Sequence, residues 1–299
     1  MTFGGLWVVV TLLASAAQTL RNAMQRDLIG ALGAVGAAQV RFLFGLPFAA
    51  AFFAGLLAAT GLGAPPIAAA NLAWAAFGAL SQVVATAMML MAMRTKSFVV
   101  AVAYTKTEPA QIALFGLVAL NDPPTPALLI AIALATLGVA LMSIRSGKEL
   151  MSGWRSAALG IASATFFAFA AIGFRSAVVG VATPSRPLAA SAILLLGLAI
   201  QSVALMAYLS LFDRPGALAI LKAWRGSLFA GFMGAFASQL WFIAFALTDA
   251  ARVRTLALVE VPLAQAVSLK LFREPPSLRE ALGVTLVVAA ASILVWAAR

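Results

Sequence analysis

The chain has 299 residues, of which 64% are hydrophobic and only 10% are Asp, Glu, Lys or Arg. A soluble chain is about 45–50% apolar and about 25% charged, so a water-soluble body of this size is excluded. With no Cys and no His there are no disulfides, thiol nucleophiles, imidazole bases or ordinary zinc sites, and the net charge of +11 is scattered over short connections, which excludes nucleic acid as a partner and fits Lys and Arg flanking membrane spans.

Ten apolar runs follow one another, near 4–22, 34–58, 71–93, 97–119, 125–144, 157–178, 187–211, 227–247, 253–271 and 278–298. Spans of roughly 20 residues each use most of the chain, so no extramembrane catalytic head fits. The runs are rich in Ala and Leu and apolar all round, unlike the alternating strands of about ten residues in a barrel. The fold expected is an all-α polytopic membrane protein with ten transmembrane helices.

The first run carries Thr11, Ser15, Gln18 and Asn22 at helical spacing, a polar stripe that lines either a helix contact or a water-filled cavity. Lacking a positive leader, this run reads as a span and not as a signal peptide. In the third run Gln82, Thr86, Met89 and Met93 share one face; Met suits both packing and sites for bulky apolar groups. The fourth run places Tyr104, Glu108 and Gln111 on one face, with Lys106 about 200° away from Glu108 and directed at another helix. Arg41, Arg175, Arg252 and Arg254 lie near run ends, where they either snorkel to the interface or face inward. The eighth run holds Gln239 and Trp241 at mid-span, away from the interfacial belt where Trp collects. Glu260 lies inside the ninth. Ionisable groups within spans cost on the order of 2.5–3.5 kcal/mol each and mark function by default, which singles out Lys106, Glu108 and Glu260.

Glu108 and the later Asp122-Pro123-Pro124 correspond to Glu260 and Glu274-Pro275-Pro276, both at an offset of 152 residues. Arg21-Asn22-Ala23 corresponds to Arg175-Ser176-Ala177 at an offset of 154, and Gly78-Ala79 before Gln82 resembles Gly234-Ala235 before Gln239. The chain thus divides into two halves, residues 1–146 and 147–299, of five helices each. Five is odd, so the second half lies inverted, a design in which the substrate site sits near the midplane between repeats. The connection near 59–70 has no Lys or Arg, while its counterpart near 212–226 has Arg214, Lys222 and Arg225, as opposite sidedness requires. Most of the 20 basic residues lie at or near odd-numbered connections, which places those in the cytoplasm and both termini outside.

Tyr104-Thr105-Lys106-Thr107-Glu108-Pro109, the run that ends at Asn121-Asp122-Pro123-Pro124, Gln39-Val40-Arg41-Phe42 and the closing Ala281-Leu282-Gly283 through Trp296 together resemble the drug/metabolite transporter superfamily with two EamA-type halves. Within it the chain is most similar to the YddG-type aromatic amino acid exporters. The resemblance implies a basket of ten helices around a central cavity and outward movement of Phe, Tyr, Trp and related amino acids. The uncharged 59–70 connection departs from the commoner family pattern, in which that loop is basic and the termini are inside, so orientation is taken from the charge count.

The function expected is therefore a secondary transporter exporting amino acids, preferably aromatic or bulky hydrophobic ones, across a bacterial-type inner membrane. Glu108 or Glu260 would take the substrate ammonium. Lys106, Arg175 or Gln82 would take the carboxylate, and Tyr104 and Trp241 the side chain, with Gln111 and Gln239 completing the lining. If protons are coupled, the two glutamates carry them. The alternatives are an exchanger of sugar phosphates or nucleotide sugars, which calls for more than one deep cation, and a lipid flippase. No Walker A, GxSxG or metal-ligand cluster is visible, so the expectation is a non-enzyme that needs no cofactor or metal and works as a monomer.

Overall fold

The computed structural model describes residues 3–95, 105–120, 124–143, 154–263 and 277–297. Regular structure among the described residues is helical throughout. In chain order the helices are α1 (Phe3–Leu43), α2 (Leu46–Thr60), α3 (Ala69–Thr95), α4 (Glu108–Leu120), α5 (Pro126–Ser143), α6 (Trp154–Val179), α7 (Arg186–Phe212), α8 (Arg214–Lys222), α9 (Trp224–Leu247), α10 (Ala250–Leu256) and α11 (Leu278–Ala297), with a 3₁₀ turn at Ala257–Val259.

Local chemistry sets these boundaries. Within α1, Gly33 takes φ 67 and ψ 175, so the stretch is two helices meeting at one residue that has no Cβ to resist that backbone. The expected second span, 34–58, falls on one membrane-length helical stretch, Val35–Thr60, which carries a two-residue turn at 44–45 just before Pro47 in the first turn of α2. Ser185 caps α7 by accepting from the Leu188 amide, with Pro187 in the first turn. Ser277 and Glu280 form a reciprocal capping box at the start of α11: the Glu280 amide donates to the serine hydroxyl, and its carboxylate accepts from the Ser277 amide at 2.8 Å. The connection expected at 212–226 carries a helix of its own, α8, which is too short to span and is capped by Asp213.

Six helical stretches among the described residues are long and apolar enough to cross a membrane: Val35–Thr60, Ala69–Met89, Ala158–Val179, Arg186–Phe212, Trp224–Leu247 and Leu278–Ala297. Shorter apolar helices lie at Gly5–Arg21, Glu108–Val118 and Pro126–Leu141. Val118, Val203 and Leu211 are among many large apolar side chains turned outward, as a hydrocarbon solvent allows and water does not. The chain is an α-helical membrane protein.

Contacts divide the chain into two compact units. The first comprises Met1–Leu12, Val84–Phe169 and Asp249–Arg299; the second comprises Leu13–Val83 and Ala170–Thr248. Each unit therefore draws on both sequence halves, and neither coincides with residues 1–146 or 147–299. In the first unit α5 packs closely on α11. A Cβ at Gly138 would stand 2.6 Å from the Gly283 carbonyl oxygen, so the backbones meet where side chains are absent. In the second unit α7 packs on α2, α8 and α9. There Gly173 faces Gly78, Asn71 donates to the Ala177 carbonyl at 3.1 Å, and Gln39 donates to the Ser202 carbonyl at 3.0 Å. In hydrocarbon such hydrogen bonds replace the hydrophobic drive that holds soluble helices together.

Candidate functional site

In the first unit, Lys106 sits in a turn just before α4, and Glu108 is the first residue of that helix. Glu108 and Gln111 lie on α4 at the spacing that gives one helical face; Tyr104 lies outside the described residues. Glu108 occupies the first turn, where the helix dipole favours an anion, and Arg254 occupies the last turn of α10, where it favours a cation. Arg254 Nε lies 3.0 Å from Glu108 Oε1. Lys106 Nζ is ion-paired with Glu260 Oε1. Each glutamate therefore takes its counter-ion from a distant part of the chain, Glu108 from Arg254 and Glu260 from Lys106. All four side chains are mostly buried, and together they carry no net charge.

The same face of α4 continues the site. Gln111 donates to the Thr107 hydroxyl at 3.1 Å and accepts from the Thr165 hydroxyl of α6 at 2.7 Å. One turn further along both helices, Phe115 stacks on Phe169 with ring centroids 4.9 Å apart, and Phe166 meets Phe169 edge-on. Charge, amide–hydroxyl pair and aromatic pair thus follow in order along one helix face.

The second unit holds Gln82, Arg175, Gln239 and Trp241. Gln82 accepts from the Gln201 side-chain amide at 2.6 Å, and that amide also donates to the Ala79 carbonyl at 3.3 Å. Trp241 is 4% exposed and its Nε1–H donates to Gln18 at 2.9 Å, so the polar stripe of the first run meets a helix here. Gln239 is 7% exposed, and neither atom of its amide meets a hydrogen-bond partner among the described residues. Arg175 donates to the Phe245 carbonyl at 2.6 Å and to the Thr248 carbonyl, which satisfies the C-terminal end of α9.

The structure thus brings Lys106, Glu108, Gln111 and Glu260 into one unit, and Gln82, Arg175, Gln239 and Trp241 into the other. Arg254, Thr165, Gln18 and Gln201 are partners that the sequence did not single out as site residues. Two deep glutamates with one deep lysine were the available signal that a second cation was missing. Because Arg175 spends its guanidinium on main-chain carbonyls, Arg175→Leu is expected to cost about 1.5–3 kcal/mol. That corresponds to a drop of roughly 5 °C in the thermal unfolding midpoint in detergent. An unchanged midpoint would show that the cap contributes nothing.

Comparison of the sequence with protein-family models and with curated proteins finds no match. Among solved structures, one described as "Crystal structure of protein" is similar to this chain, with a TM-score of 0.68 at 15% identity over 98% of each chain. At that identity the likeness is one of fold alone.

Proposed function

We propose that the chain is a secondary transporter that exports amino acids, preferably aromatic or bulky hydrophobic ones, by alternating access. In this reading ten helices cross a bacterial-type inner membrane as two inverted five-helix repeats around a central cavity, and one chain is the working unit. The observation that carries it is the charge-neutral double ion pair, Lys106–Glu260 and Arg254–Glu108, followed along α4 by an aromatic pair.

A net-neutral set of buried charges suits a net-neutral ligand. When Lys106 and Glu260 part, they present a carboxylate for an ammonium and an ammonium for a carboxylate, which is the inventory a zwitterion needs. A lone cationic or anionic ligand would leave one protein charge without a counter-ion in a poorly solvated place. Both cations already face glutamates, which weighs against phosphorylated sugars and nucleotides. Phe115 lies two turns from Glu108 on the α4 face and is stacked on Phe169 of α6, at the side where an amino acid side chain would extend.

Purified protein in liposomes should take up radiolabelled Trp and Phe, with inhibition by other bulky amino acids and none by sugar phosphates. Phe169→Ala should weaken Trp and Phe transport by about 10- to 100-fold, since removing one side of an aromatic contact costs roughly 1–3 kcal/mol, and should leave alanine-sized substrates near their original rate. Transport of a phosphorylated compound without any aromatic amino acid would overturn the reading.

A further inference from the structure

The corner formed by α7, α8 and α9 carries a surface whose chemistry the transport reading does not use. The inner face of α8 is anchored: Ala217 and Ile220 pack in a core with Val40, Leu209 and Ala230. The outer face repeats every four residues as Arg214, Leu218 and Lys222, with Leu221 beside them. Leu218 is 57% exposed and Leu221 50%, on the same outward face as two exposed cations. Leucines presented beside cations are poorly placed in water. They are well placed where acyl chains give way to headgroups.

The residues at either end of α8 fit that level. Phe212 closes α7 and is exposed, and Trp224, which opens α9, is 46% exposed; Trp at the ends of apolar helices collects at the headgroup boundary. The Arg225 guanidinium stands 5.3 Å from the Trp224 ring, which holds a third cation at this edge. The acidic residue here, Asp213, turns its carboxylate to the Gly216 amide as the α8 cap. Three cations against one anion already engaged leave a surplus of positive charge beside exposed apolar side chains.

We propose that α8 lies in the membrane interface and binds the phosphodiester headgroups of anionic phospholipids through Arg214, Lys222 and Arg225, in preference to zwitterionic lipid. This surface selects lipid from the bilayer and not a soluble phosphate, because the leucines and Trp224 supply the acyl-side contacts that a free anion lacks.

The test is Trp fluorescence of the full chain in phosphatidylcholine nanodiscs containing equal small fractions of brominated phosphatidylglycerol or brominated phosphatidylcholine. Subtracting the same measurement on Trp224→Phe isolates the residue at this corner. Brominated phosphatidylglycerol should quench Trp224 more strongly, with an apparent enrichment of at least fivefold, roughly fivefold being the expected effect of each surface cation. Arg214→Gln, Lys222→Gln and Arg225→Gln combined should abolish the preference. In the unmodified chain, 1 M salt should also collapse it, because screening shrinks to about 3 Å. Millimolar glycerol phosphate should leave it intact. Equal quenching by the two lipids, a preference that survives salt or the triple substitution, or displacement by glycerol phosphate would each overturn the proposal.

Discussion

Glu260→Gln is expected to abolish measurable transport while lowering stability by about 3–5 kcal/mol. The stability loss follows from stranding Lys106: its ammonium stays mostly buried and loses the carboxylate that offsets its desolvation. Under the proposed function, the transport loss follows because this carboxylate is the one offered to a substrate ammonium. Truncating one partner of a buried charged contact costs 2–5 kcal/mol, which is roughly a 30-fold to several-thousand-fold rise in the half-saturating substrate concentration. A structural ion pair and a substrate-exchanging one differ in the double variant. Lys106→Gln with Glu260→Gln removes both charges, so thermal stability in detergent should return to within about 1 kcal/mol of the original chain. Uptake of labelled Trp into liposomes should stay at background, because neither pole of the zwitterion then has a charged partner. Recovery of uptake along with stability would reduce Lys106 and Glu260 to a clamp between two segments of the first unit.

Helix ends marked by Pro126, Pro187 and Ser277 fall where the apolar runs at 125–144, 187–211 and 278–298 place them, because a missing amide or a capping hydroxyl acts locally. Pro47 acts as locally, yet it sits inside a continuous apolar run, and hydropathy alone passes over the end of α1 before it. The helix α8 escaped for the opposite reason: its two outward leucines and two cations are too mixed to count as an apolar run, and its amphipathic character shows only on a helical wheel. Glu108 and Glu260 stood out as scarce acids within spans, but their partners did not. Arg254 is 146 positions from Glu108, near the start of an apolar run, where an arginine readily snorkels to the interface. Periodicity gives the face on which a side chain lies and is silent about what that face meets. The glutamines show the same limit: Gln82 was legible as a polar residue in mid-span, and its bond to Gln201 required the packing of α3 on α7.

The second large effect concerns Arg254. Arg254→Glu is expected to cost about 4 kcal/mol or more, since two carboxylates would face each other at the distance now spanned by an ion pair, and like charges about 4 Å apart repel by roughly that amount at an effective dielectric of 20. Adding Glu108→Arg restores opposite charges across the contact. Recovery should nevertheless be partial, because both helix dipoles then work against the pair. A cation would stand in the first turn of α4 and an anion in the last turn of α10, each unfavourable by about 0.3–1 kcal/mol. Relative to the original, each end also loses a favourable term of that size, so the reversed chain should unfold about 1–4 kcal/mol below the original and still above Arg254→Glu alone. Its charge pattern also differs: both cations come to lie at the start of α4, and both carboxylates on the segment from α10 to Glu260. The original arrangement alternates sign along each segment, which in the proposed function lets a zwitterion exchange with one pair while the other remains closed. The reversed arrangement separates the signs between segments, and liposome uptake of aromatic amino acids should stay at least tenfold below the original rate. A reversed chain less stable than Arg254→Glu alone would show that Glu108 and Arg254 do not face one another.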